Sequence, residues 1–162
     1  MSGRFKDCCI KSTALAIQIA KETGARIHLM HLSTYQEVAM LKDLMYGNVK
    51  TRQISGEACI PHLYFSESFY AQKGPFLKCN PAVKTEKDRL ALVQALESGI
   101  ITTVGTDHAP HEIAAKGNQY FKCASGLPSV QFSLLALLDL WKRKEITLET
   151  IAKVTSTNVA ER

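Results

Sequence analysis

Cysteines at metal-binding or disulfide spacing are what this chain most plainly lacks. It holds five in 162 residues, Cys8, Cys9, Cys59, Cys79 and Cys123. The number is odd and no Cys-x-x-Cys occurs, which argues against a disulfide framework and against a zinc knuckle. No apolar run approaches the roughly 20 residues that cross a bilayer. No signal-peptide pattern opens the sequence, so a reducing cytoplasm is the expected setting and no membrane is an expected partner. Charge is not gathered either. The net charge is +5 and the densest basic run is "WKRKE" at 141–145, which reads as a solvated helix end. There is no nucleic-acid motif and no basic stripe interleaved with aromatics, so nucleic acid is not an expected partner. Internal repeats, low-complexity tracts and linker-like stretches are absent as well.

Apolar residues make up 46% of the chain, enough for a packed core in one domain. Residues 5–23 read as a helix with Cys8, Leu15 and Ile19 on one face and Gly24 closing it. "ARIHLMHL" (25–32) reads as a buried strand. Ser33, with Gln36 three residues on, reads as the capped start of a second helix that Gly47-Asn48 ends. "TRQISGEAC" (51–59) is a strand weakened by Gly56, and a long loop follows it. Thr85 with Asp88 caps a third helix, which Gly99 closes; "IITTVGTD" (100–107) is the clearest strand. "SVQFSLLALLDLW" (129–141) is apolar nearly all round and is expected to be buried on more than one side, and "TLETIAKVTSTN" forms a last short helix. Strands and helices alternate, which implies βαβ units and a parallel sheet. Three strands are too few to close a barrel of eight and leave open edges.

In parallel α/β folds the ligand site lies at the carboxyl ends of the strands. The first strand ends in His31, the second near Glu57 and the third in Asp107, while Asn80 stands in the loop between the last two. An imidazole and two carboxylates at one rim are the donor types of a metal site with oxygen chemistry. Each residue also has a plainer use. His28 alternates with Met30 and reads as a packed or hydrogen-bonded histidine. His31 and His62 suit structural roles as well as functional ones, Glu57 could be a salt-bridged rim residue, and Asp107-His108 could cap a turn.

The stretch "VGTDHAPHE" resembles the signature of the dihydroorotases, zinc-dependent cyclic amidases of the amidohydrolase superfamily. "IHLMHLST", "GEACIPHLYF", "KCNPAVKTEKDR" and "SGLPSVQ" agree with it in order, and together they cover nearly all of the chain. Allantoinases and hydantoinases are the nearest alternatives. They usually differ at the positions of Asn80 and His111, which favour dihydroorotase. The resemblance implies a (β/α)8 barrel with one or two zinc ions. It implies interconversion of L-dihydroorotate and N-carbamoyl-L-aspartate in pyrimidine synthesis. Carried over by motif, His31 matches a zinc ligand at the end of the sixth strand. Asp107 matches the zinc ligand and general base at the end of the eighth. Asn80 and His111 match substrate-binding residues, Ser125 and Gly126 fall where backbone groups meet the substrate, and Glu57 matches an acidic residue that some members use near the metals.

Departures accompany the match. Pro61 stands where a histidine is common, and Ser129 and Gln131 stand where the family has Gly and Glu. The His-x-His of the first strand, the carboxylated lysine of the fourth and the histidine of the fifth have no counterparts. The chain therefore resembles a C-terminal fragment running from the fifth barrel helix through the eighth, about three-eighths of a barrel, and is expected to be inactive alone. The resemblance also implies homo-oligomers, in some cases with aspartate carbamoyltransferase, for which dihydroorotase-like chains lacking metal ligands can serve as non-catalytic partners.

Overall fold

The structure is a computed structural model that describes residues 2–46, 53–117 and 119–162. Three parallel strands, β1 (Ile27–Leu32), β2 (Ile54–Cys59) and β3 (Thr103–Gly105), form a sheet in the order β1-β2-β3. Helix α1 (Ser2–Thr23) precedes β1, and α2 (Tyr35–Tyr46) lies between β1 and β2. Short helices α3 (Ile60–Tyr64) and α4 (Tyr70–Lys73), then α5 (Glu86–Glu97), connect β2 to β3. After β3 come α6 (Ile113–Lys116), α7 (Ser133–Lys142), α8 (Leu148–Ala152), a π-helical turn and α9 (Asn158–Ala160). Among the described residues no helix is long and apolar enough to cross a membrane.

Strand parity divides the sheet into two faces. Gly56 points at the helices: a Cβ there would lie 2.6 Å from a Leu32 methyl and 2.7 Å from one of Leu41. The glycine that weakens this strand by propensity is therefore what lets β2 and α2 approach. Leu32, Leu92, Leu96, Ile101, Leu137 and Leu140 fill the core on this side, each worth about 1.5–3 kcal/mol of burial. The opposite face carries His28, Ser55, Glu57, Thr103 and Gly105. Its middle is polar, with His28 Nδ1 2.6 Å from Ser55 Oγ and Nε2 3.2 Å from Thr103 Oγ1. His28 is thus hydrogen-bonded, as its alternation implies.

Several local expectations shift. The second helix is capped one residue later than Ser33/Gln36: Glu37 N donates to Thr34 Oγ1 (3.2 Å) and Thr34 N to Glu37 Oε2 (3.0 Å). The reason is tertiary, because Glu37 also receives Thr13 Oγ1 at 2.7 Å and Ser33 N at 3.0 Å. For the same reason α1 buries Thr13, Ile17 and Ala20, and the face of Cys8, Leu15 and Ile19 turns outward. The helix end at Gly47-Asn48 and the strand start at 51–52 lie outside the described residues. The strand expected over 100–107 keeps only Thr103–Gly105. Helix α7 is buried on one side alone, through Leu137 and Leu140, while Leu134 and Leu135 are 56% and 61% exposed. It packs on α3 and α8, and nothing covers its outer face among the described residues. The capping box of Thr85 and Asp88 is present as read.

Candidate active site

The two candidate metal ligands share an unusual backbone. His31 has φ 41° and Asp107 φ 48°, left-handed values that β-type sequences avoid and that cost on the order of 1–3 kcal/mol each. His31 sits where β1 gains a residue against β2, Leu29 pairing with Gly56 but Leu32 with Ala58. This bulge re-aims the side chain at the end of the strand. Asp107 lies two residues beyond β3. Between these two ends β2 finishes in Cys59. Its thiol is pushed up by burial first and then by the charges of Glu57 and Asp107, against a hydrogen bond from the His31 backbone. Cys79, one residue before Asn80, is likewise pushed up to about 12 by burial, with Asp107 adding to it. Asp107 therefore acts electrostatically on both the strand end and the Asn80 segment.

The loops above the sheet are tied into one cluster. His111 Nε2 donates to Ser125 O at 2.9 Å. Gly126 has φ 140°, and a Cβ there would lie 2.4 Å from Ala109 Cβ and 3.2 Å from His111 Nε2, so the close approach depends on glycine. Gly126 N donates to Lys78 O at 2.9 Å, which brings the 78–81 segment in beside the turn. Asn80 is exposed there, and the peptide bond to Pro81 is cis. Ser129, a departure from the family pattern, donates through Oγ to Thr106 O at 2.5 Å and so joins this turn to the strand end of Asp107. Asn80, His111, Ser125 and Gly126 are thus brought together. Glu57 is not at the rim. It stands two residues inside β2, 3.9 Å from His28 Nε2 and against Gly105.

His62 packs under the cluster, 3% exposed. Its Nε2 donates to Pro81 O at 2.7 Å, and its Nδ1 has no partner. Burial lowers its pKa to about 4, the Pro81 bond opposing and the charges of Lys84 and His31 adding. An unfolded histidine titrates near 6.5. Between pH 6.5 and 4 the unfolded chain therefore takes up a proton that the folded chain refuses, and stability falls with pH. Acidification across this window is expected to remove on the order of 3 kcal/mol through His62. Burial lowers His28 as well, with Glu57 opposing, which adds to the slope. Urea midpoints at pH 7 and 4.5 check this: His62→Gln, which keeps the donor to Pro81, should flatten the difference, and an unchanged slope would refute it.

His31 and Asp107 are donors that zinc accepts, but among the described residues no three His, Cys, Asp or Glu side chains gather as a metal group. A catalytic zinc needs three protein ligands. His31 and Asp107 are two such donors, one short of that number. Nothing in the sequence marks Lys116 or Lys78 for a part in this cluster. Both hold loop carbonyls with their ammonium groups, and an isolated lysine gives no periodic or spacing signal.

The fold has well-defined likenesses. An L-hydantoinase from Arthrobacter aurescens matches with TM-score 0.86 at 22% identity, over 94% of this chain and 34% of that one. A dihydroorotase from Saccharomyces cerevisiae, solved with 5-fluoroorotic acid, matches with TM-score 0.79 at 23% identity, over 91% and 41%. The described residues thus share the fold of part of these two proteins. No protein-family model matches. In sequence, the chain is 33% identical over 145 residues to a dihydroorotase from Methanosphaera stadtmanae, covering 90% of this chain and 32% of that protein. It is 34% identical over 146 residues to one from Halobacterium salinarum, covering 90% and 33%. An allantoinase from Bacillus velezensis is 28% identical over 162 residues, covering 99% and 35%. The chain is homologous to dihydroorotases over nine-tenths of its length, and it spans about a third of the length of these curated relatives.

Proposed function

We propose that this chain is the part of a dihydroorotase that runs from the fifth barrel helix through the eighth, and that it acts with the remaining part of the barrel. The observation that carries the reading is the loop cluster, whose residues three separate motifs nominate: His111 bonds Ser125 O, Gly126 N bonds Lys78 O two residues before Asn80, and Ser129 ties this turn to Thr106 O beside Asp107.

His31 and Asp107 would hold zinc together with ligands from the rest of the barrel. Zinc, when bound, lowers the pKa of water and polarises the carbonyl under attack. Asp107 accepts the proton of the attacking water and delivers it to the ring nitrogen that leaves. The substrate carboxylate meets Asn80 Nδ2, the backbone of the Ser125-Gly126 turn, and His111. His111 Nε2 already donates to Ser125 O, which leaves Nδ1 as the ring nitrogen that would face the carboxylate. The reversible product is N-carbamoyl-L-aspartate.

The test is hydrolysis of L-dihydroorotate by the full-length enzyme and by its His31→Ala, Asp107→Ala double variant. Turnover that disappears in the variant supports the assignment. Turnover that survives would locate the chemistry elsewhere.

A further inference from the structure

Lys116 closes α6 and is only 6% exposed. Its Nζ donates to three backbone carbonyls, Gly126 O at 2.9 Å, Lys78 O at 3.0 Å and Ala124 O at 3.1 Å. An ammonium has three protons, and each has an acceptor. Among the described residues no aspartate or glutamate pairs with it, and burial lowers its pKa. The acceptors are not scattered. Lys78 precedes Asn80 by two residues, and Ala124 and Gly126 flank Ser125. Lys78 O also receives Gly126 N at 2.9 Å, and Ala124 N donates to Ala115 O at 3.1 Å beside the lysine. Three carbonyl dipoles aimed at one point repel each other. A buried cation is what makes their convergence favourable, since bonds to charged donors are roughly twice as strong as neutral ones.

We propose that Lys116 is a positioning residue: without touching substrate, its ammonium sets the distance between the Asn80 segment and the Ser125-Gly126 turn. What that subsite binds rests on the dihydroorotase reading; the clamp itself does not.

Hydrogen–deuterium exchange of the full-length enzyme, read by mass spectrometry, tests the clamp in Lys116→Met and Lys116→Arg. In the methionine variant, peptides covering 78–82 and 119–127 should exchange about tenfold faster or more, with β2 and α5 unchanged. The arginine variant, which keeps the charge, should fall between. Unchanged loop peptides would overturn the proposal, and so would acceleration throughout the protein, which would make Lys116 a general stability residue. Kinetics supply the second reading. Lys116→Met should raise KM for dihydroorotate by about tenfold and leave kcat within about threefold, because the disturbed groups are ones that bind the substrate throughout. A fall in kcat at constant KM, as from a smaller active fraction, would overturn it. If the wild-type enzyme turned over hydantoin or allantoin in place of dihydroorotate, the substrate reading would fall, and KM for that cyclic amide would decide the clamp in the same way.

Discussion

Asn in place of Asp107 is expected to lower kcat of the full-length enzyme by about 10²–10⁴-fold, the usual cost of losing a general base, while substrate still binds. Asparagine keeps the size of the side chain and one oxygen able to meet a metal, but it cannot take up the proton of the attacking water. It is also tolerated at positive φ, so the strand end with φ 48° need not rearrange. His111→Ala and Asn80→Ala should behave differently. Their proposed partner is the substrate carboxylate, present in ground and transition states alike, so their loss should appear in KM. In His111→Ala the bond to Ser125 O is lost as well, which loosens the same subsite. Zinc content must be measured in each variant, because metal loss imitates loss of the base. If His111→Ala with full zinc lost kcat as severely as Asp107→Asn at constant KM, the roles would be reversed.

The 162-residue chain alone is expected to show no dihydroorotate hydrolysis above its own His31→Ala, Asp107→Ala double variant. Two candidate ligands fall short of the three that hold a catalytic zinc, and no third gathers with them among the described residues. The physical state should agree with this. β1 and β3 are both edges of the sheet, and Met30, Phe132, Leu134 and Leu135 are exposed apolar side chains. Open edges and apolar faces of this kind drive association. In sedimentation the isolated chain should self-associate, and a monodisperse, active monomer would contradict both expectations.

How much of this could be read from the sequence depended on how local each signal was. The Thr85–Asp88 capping box is contained in four residues, and it was legible. The cap of α2 was misplaced by one residue because Ser33 and Thr34 are both good caps; what decides between them is Thr13, 24 residues from Glu37. Cys8, Leu15 and Ile19 do share one face of α1, but that this face turns outward is not legible, since a threonine bonded to a buried carboxylate outranks an exposed leucine. Gly56 looked like a flaw in β2 and proved to be a contact requirement. The rim residues His31 and Asp107 were legible as strand ends, but their left-handed backbones were not, because propensity opposes them. The sequence puts Glu57 near the rim because it does not specify where β2 ends to within two residues, and the strand runs on to Cys59. Lys116 was invisible: its partners are carbonyls, and carbonyl positions are a property of the fold.

The central claim, that the Asn80, His111, Ser125 and Gly126 cluster serves a dihydroorotase, is tested most directly by comparing kcat/KM of the zinc-loaded full-length enzyme for L-dihydroorotate, hydantoin and allantoin under one set of conditions. The cluster meets a carboxylate that dihydroorotate carries and the other two lack. A site built to bind a polar group rejects analogues without it by about 10⁴-fold or more. Dihydroorotate should therefore be preferred by that order, and His111→Ala should shrink the preference by lowering the dihydroorotate value alone. Equal or greater kcat/KM for hydantoin or allantoin would contradict it.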